Sequence, residues 1–123
     1  MLKDELHLPC PRTYHASCLL NKYMIVSGGE YNNTDLNDMW ALDLEISKWF
    51  KLELFENSFA SKRFHTVSSL SKNRLVSFGG CHSEYTHLND VNIFDLTRFI
   101  ESEGLSCQVN CMKLDLRQNN KFG

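Results

Sequence analysis

The sequence predicts an all-β chain made of two tandem four-stranded antiparallel sheets, and three repeated landmarks carry that prediction. LNDMWALDL at residues 36–44 returns as LNDVNIFDL at residues 88–96, with five letters of nine unchanged and the hydrophobic pattern kept. The pair Gly28-Gly29 returns as Gly79-Gly80, again closing a β-rich run. Upstream, Arg12-Thr13-Tyr14-His15-Ala16 returns loosely as Lys62-Arg63-Phe64-His65-Thr66. The landmarks keep their order, and the step between copies is 50, 51 and 52 residues along the chain. Each slipped residue falls in a turn or loop. Self-similarity at a fixed period marks a repeat architecture, in which each unit is one supersecondary element.

The elements follow in order. Residues 16–20 and 67–70 are short apolar-rich runs, and residues 23–26 and 75–78 are β-rich runs bounded by glycines, so each pair reads as two strands. Asn21-Lys22 and Ser71-Lys72-Asn73 between them are tight-turn residues, which makes each pair a hairpin. A polar loop follows the glycines. Residues 38–44 and 90–96 then alternate as a third strand, with Met39, Ala41 and Asp43 on one face and Trp40, Leu42 and Leu44 on the other. Residues 49–54 alternate as a fourth strand, and no segment sustains a helical period over three turns. In the second copy the fourth strand falls within residues 107–116. Matching Met112-Lys113-Leu114 to Phe50-Lys51-Leu52 gives a step of 62, ten more than for the third strand. The second copy therefore carries an excursion around residues 99–106, either a short helical turn or a disordered loop.

Four antiparallel strands in about 50 residues, with a glycine pair and a late tryptophan, describe one blade of a β-propeller. The ordered set Arg12, His15, Gly28, Gly29, Tyr31, Leu36, Asn37, Asp38, Asp43 and Trp49 resembles the kelch repeat. The second copy keeps His65, Gly79, Gly80, Tyr85, Leu88, Asn89, Asp90 and Asp95 but lacks the tryptophan. The expected layout is a stub of a preceding blade at residues 1–8, one repeat at 9–56, a second at 57–116, and a polar tail at 117–123. Two blades leave two apolar sheet faces uncovered, an unusual exposure for a monomer. A piece of a longer propeller, a ring of several copies, and two blades standing alone are the three readings.

The resemblance implies protein binding on one rim. Antiparallel topology puts the loop entering the first strand and the loop from second to third strand at the same end of each sheet. Arg12, Tyr31, Asn32, Asn33, Arg63, His82 and Tyr85 are the expected partner-binding residues, with arginines pairing acidic groups and tyrosines supplying contact area. Two of these have alternatives. Arg12 equally fits a bridge between blades to Asp38 or Asp90, and matching the histidines puts Lys62 rather than Arg63 at the second arginine position. A kelch-type enzyme acting on a small molecule, and a fragment without independent function, are the competing readings.

Composition narrows the classes. With 42% hydrophobic residues the chain can build a core, and a formal charge of −2 argues against a broad phosphate-binding surface. No apolar run is long enough to span a membrane, and the charged start MLKDELHLPC does not read as a secretory signal. The five cysteines are odd in number and irregular in spacing, which suits free thiols in a reducing compartment and a cytoplasmic protein. Cys107 with Cys111, or Cys81 with His82 and His87, are the conceivable metal ligands, but neither set has the companions a metal needs, so no cofactor is expected. His15 and His65 read as packed scaffold, the repeated aspartates as turn and strand-end caps, and Trp40 and Trp49 as core. Asn32-Asn33-Thr34 fits the glycosylation acceptor pattern, which matters only in a secreted chain.

Overall fold

Apolar residues at alternate positions, broken by the turn at Asn21-Lys22, fold residues 16–27 into a hairpin. It comprises β1 (Ala16–Leu20) and β2 (Tyr23–Ser27), and Asn21 takes a φ of 62° in the turn. The computed structural model of the chain describes residues 7–54, 65–82, 86–87 and 89–114. After β2 a small hairpin, β3 (Glu30–Tyr31) and β4 (Thr34–Asp35), projects from the sheet. The sheet resumes with β5 (Met39–Asp43) and β6 (Lys48–Leu54), each antiparallel to its predecessor.

The second copy repeats this plan. β7 (Thr66–Ser69) and β8 (Arg74–Phe78) form the hairpin, and β9 (Cys81–His82) with β10 (Thr86–His87) forms the small projection. β11 (Val91–Asp95) and β12 (Gln108–Leu114) complete the sheet, with helix α1 (Thr97–Glu101) between them. The registers correspond residue for residue. Ile25 stands opposite Ala41 and Ala41 opposite Phe50; in the second copy Val76 stands opposite Ile93 and Ile93 opposite Met112. The predicted eight strands are present in the predicted order, and the excursion resolves in favour of the helical turn.

The two sheets pack face to face around one core. Ala16, Leu20, Tyr23, Ile25, Met39, Ala41 and Leu52 supply one side, and Val67, Leu75, Phe94, Leu96, Phe99 and Val109 the other. The first strands β1 and β7 are neighbours at one edge. At the other edge the last strands join by two parallel pairs, Gln108 with Glu53 and Val109 with Leu54. This bridge was not expected from the sequence. It is parallel because β6 and β12 are equivalent strands of repeated units, and right-handed twist accumulating over four strands swings the end of one onto the start of the other.

Helix α1 and the turn after it seal the end of this core. Phe99 is fully buried, with its ring centroid 4.6 Å from Tyr23 and 5.4 Å from Phe50. Gly104, at a φ of 91°, lies so close to the Phe50 ring that an added Cβ would overlap it. Ser102 ties the turn together, its Oγ accepting from the Ser106 amide at 2.9 Å. The extra ten residues of the second copy are therefore a plug. The next residue, Leu105, is 94% exposed.

Candidate functional site

One rim of the first blade is assembled by a short set of bonds. The strand entering the blade and the loop leaving β2 meet at an isolated antiparallel bridge between Thr13 and Glu30. The Thr13 amide donates to the Glu30 carbonyl at 3.0 Å and the Glu30 amide donates back at 2.8 Å. Gly29 makes this approach possible: at φ 105° it sits so close that a Cβ would lie 2.7 Å from the Thr13 carbonyl oxygen. The two loops that topology alone assigned to one end of the sheet thus lie side by side.

Arg12 locks the base of this rim. Its Nη1 donates to Asp38 Oδ1 at 2.6 Å and its Nη2 to Asp38 Oδ2 at 3.0 Å, a two-pronged pairing with only 4% of the arginine side chain exposed. The same guanidinium donates to the carbonyls of Gly28 at 3.1 Å and Cys10 at 3.2 Å. Trp40 Nε1 completes the shell of Asp38 at 2.9 Å. Burial on its own would raise the Asp38 carboxyl, but the hydrogen bonds from Arg12 and Trp40 and the nearby positive charge outweigh it and hold the group below the usual carboxylate range. Arg12 therefore occupies the bridging position, and the bridge lies within one blade rather than between two. Its donors are taken up by the fold, which leaves little for an incoming acid.

What the rim presents outward is different. The hairpin of β3 and β4 turns through Asn32 and Asn33, at φ 53° and 61°. Successive positive φ values are what a two-residue hairpin turn of primed type needs, and asparagine tolerates them best after glycine. Both asparagines are exposed, and Tyr31 beside them is 43% exposed. Across the Thr13–Glu30 bridge, Tyr14 also takes a positive φ of 61° and is 49% exposed. Tyr14 was not among the residues expected here. The available signal was its place between Arg12 and His15, where the chain must turn sharply into β1.

The second blade carries the equivalent β9–β10 hairpin, with Cys81 opposite His87 and His82 opposite Thr86. Arg63 and Tyr85 lie outside the described residues, as does Lys62, and of His82 only the strand position is described. Asp90 accepts a bond from Asn92 Nδ2 at 3.0 Å, the counterpart of the Trp40 bond to Asp38. The other repeated aspartates do cap turns. Asp43 Oδ1 accepts from the Glu45 and Ile46 amides at 2.9 and 3.3 Å, and Asp95 Oδ1 accepts from the Thr97 amide at 2.9 Å.

The two histidines part company, which corrects the expectation that both are packed scaffold. His65 is buried, and its Nε2 lies 3.2 Å from Ser27 Oγ across the interface between sheets. His15 is exposed. The position is buried only where a neighbouring blade covers it. The five cysteines are free thiols. Burial pushes the Cys18 thiol up to about 11, and Cys107 is raised for the same first reason, so neither favours the reactive thiolate. Among the described residues no three of His, Cys, Asp and Glu come together as a metal site, and no helix is long and apolar enough to cross a membrane.

Comparison with known proteins agrees with this geometry. Residues 2–106 match the KLHDC2/KLHL20/DRC7 Kelch-repeats domain. The chain is 28% identical over 90 residues to "Kelch domain-containing protein 1" of Mus musculus, covering 72% of this chain and 22% of that protein. It is 35% identical over 88 residues to "Putative adagio-like protein 2" of Oryza sativa subsp. japonica, covering 69% and 14%. Against "Kelch domain-containing protein 2" of Bos taurus it is 28% identical over 82 residues, covering 67% and 20%. The chain thus spans less than a quarter of the length of each of these relatives.

Proposed function

Because this chain belongs to the kelch-repeat family, whose domains commonly serve protein interaction, we propose that it is a non-catalytic module that binds a protein partner through the rim built on Arg12 and Asp38. The observation that carries the reading is the division of labour at that rim. Arg12 is spent inside, while Tyr14, Tyr31, Asn32 and Asn33 stand outside on backbone held by the Thr13–Glu30 bridge. Tyrosines lose little side-chain entropy on binding and offer one apolar and one polar end, which suits them to contact surfaces. Asparagines in a stiff turn present donors and acceptors at set positions. Arg63, His82 and Tyr85 are the residues we propose for partner binding in the second blade, on repeat equivalence in the sequence alone. The free thiols support a reducing compartment, and we place the chain in the cytoplasm.

The test is capture of partners from lysate by the intact chain and by a Tyr14→Ala, Tyr31→Ala variant. The variant is expected to keep its urea midpoint and lose the captured proteins. An Ile46→Ser variant, altered on the 63% exposed residue of the opposite rim, is expected to capture normally. Equal capture by all three removes the rim from consideration.

A further inference from the structure

The ten added residues of the second copy seal the seam between the sheets with a turn that hangs on one hydroxyl. Ser102 ends α1, and its Oγ accepts from the Ser106 amide at 2.9 Å. The same Oγ lies 3.3 Å from the Phe99 carbonyl and 3.4 Å from the Ser106 carbonyl, either of which it can donate to. The backbone follows the same path, with the Gly104 amide donating to Phe99 at 3.1 Å and the Leu105 amide to Ser102 at 3.2 Å. These bonds set Gly104 against Phe50 and keep Phe99 in the core. Both sheets of the seam that the turn closes belong to this chain.

The turn is also the part of the seam most easily opened. α1 has only five residues, too few to persist on their own. Glu103 takes a φ of 53°, a strained setting for a residue with a Cβ. Glu101, Glu103 and Leu105 are exposed around the half-buried serine. Ser102 therefore sits in a surface segment that can open without unfolding the sheets, with a carboxylate on either side of it in the chain. A dianion at this position meets three unfavourable neighbours: Glu101, Glu103 and the negative end of α1. Arg98 is the one cation between residues 97 and 106, and it already donates to Gln108. An exposed pair one helical turn apart returns little against those losses.

We propose that Ser102 is a phosphorylation site and that its modification releases the plug. A serine kinase that selects acidic flanks transfers the γ-phosphoryl group of ATP to Ser102 Oγ. The bond from the γ-phosphorus to the oxygen it shares with the β-phosphate breaks, the bond to Oγ forms, the hydroxyl proton passes to the kinase's base, and ADP leaves. The modified serine no longer donates to a carbonyl, its bulk displaces the Ser106 amide, and like charge repels Glu101 and Glu103. The open form of the turn gains population at the expense of the plugged one, and with it Phe99 loosens from Tyr23 and Phe50. This control of the seam is separate from partner binding at the rim and does not rest on it.

Incubation of the full chain with ATP and an acidophilic serine kinase, followed by peptide mass spectrometry and hydrogen exchange, tests this. The expected result is a phosphate on Ser102 of the folded chain. Amides of residues 104–106 should then exchange faster by about tenfold or more. Ser102→Ala separates charge from structure: it loses the hydroxyl bonds without gaining a charge, and its exchange should rise by less than that of the phosphorylated chain. A folded chain that takes no phosphate on Ser102 overturns the site. The release is tested independently on a chain joined by ligation with phosphoserine at position 102. Exchange there no faster than in Ser102→Ala overturns the release. Tyr14→Ala, Tyr31→Ala is phosphorylated at the unaltered rate, so failure here is separate from failure of the rim.

Discussion

The two blades share one backbone plan and differ in what stands behind it. Asp38 and Asp90 open equivalent third strands, and each takes a hydrogen bond from the side chain two residues on. In the first blade that side chain is Trp40, at 2.9 Å; in the second it is Asn92, at 3.0 Å. The bond is kept and the volume is not. Trp40 lies on the outer face, 5.1 Å from His7 and 6.3 Å from Trp49. Asn92 faces the first sheet at 0% exposure, where an indole would force the sheets apart. The histidines tell the same story, one bonded to Ser27 in the seam and one in the open. Repetition therefore sets hydrogen bonding within a blade, and neighbours set side-chain size on its faces.

The third-to-fourth connections differ most, and the largest predicted effect lies there. The first blade closes with a tight turn in which Ser47 takes a φ of 57°, whereas the second inserts α1 and buries Phe99. Phe99→Ala removes a fully buried ring that touches Tyr23 and Phe50, and should destabilise by about 3–5 kcal/mol in urea unfolding. A loss under about 1 kcal/mol there would mean the plug is not part of the core.

Next comes the charge pair of the first blade. Arg12→Ala leaves a half-buried Asp38 without its partner, and should cost about 3 kcal/mol, somewhat less than a fully buried pair because the carboxylate is 19% exposed. The pair also gives a pH dependence of known sign. Asp38 has a depressed folded pKa, so its contribution is complete above the unfolded carboxyl value of about 3.9 and is lost as pH falls through the lower folded value. Urea midpoints of the wild type should fall with acidification below about pH 4, and Asp38→Asn should flatten that fall. An identical slope in the variant would assign the acid sensitivity to other carboxylates.

Gly104→Ala should cost about 1–3 kcal/mol, from strain at a φ of 91° and from the clash with Phe50. The smallest effect sharpens the comparison most. Ser27→Ala removes the hydroxyl from His65 and should cost about 1 kcal/mol. His15→Ala, at the exposed counterpart, should stay within about 0.5 kcal/mol of wild type in the same unfolding measurement. Equal losses at the two would show that His15 is covered in solution.

Much of this was legible in the letters. Alternation, tight-turn residues and glycine pairs are local signals, so strands and hairpins could be read directly. The rim was legible as topology, since the ends of antiparallel strands need no coordinates. The role of Arg12 was not, because a guanidinium serves a partner or a buried aspartate with the same chemistry. Tyr14 escaped notice because its exposure follows from a positive φ that no residue type announces. The bridge between β6 and β12 was hidden for another reason: it depends on accumulated twist, a property of the whole sheet.

By itself the sequence determined the two repeats, their strand order, and which residues lie on alternate faces, because these follow from local turn signals and from backbone geometry with a period of two. Only the tertiary structure decided which face of each sheet is buried, that the excursion plugs the core, and that Arg12 is turned inward. Those outcomes depend on which surface another part of the chain covers, and covering is a property of neighbours in space.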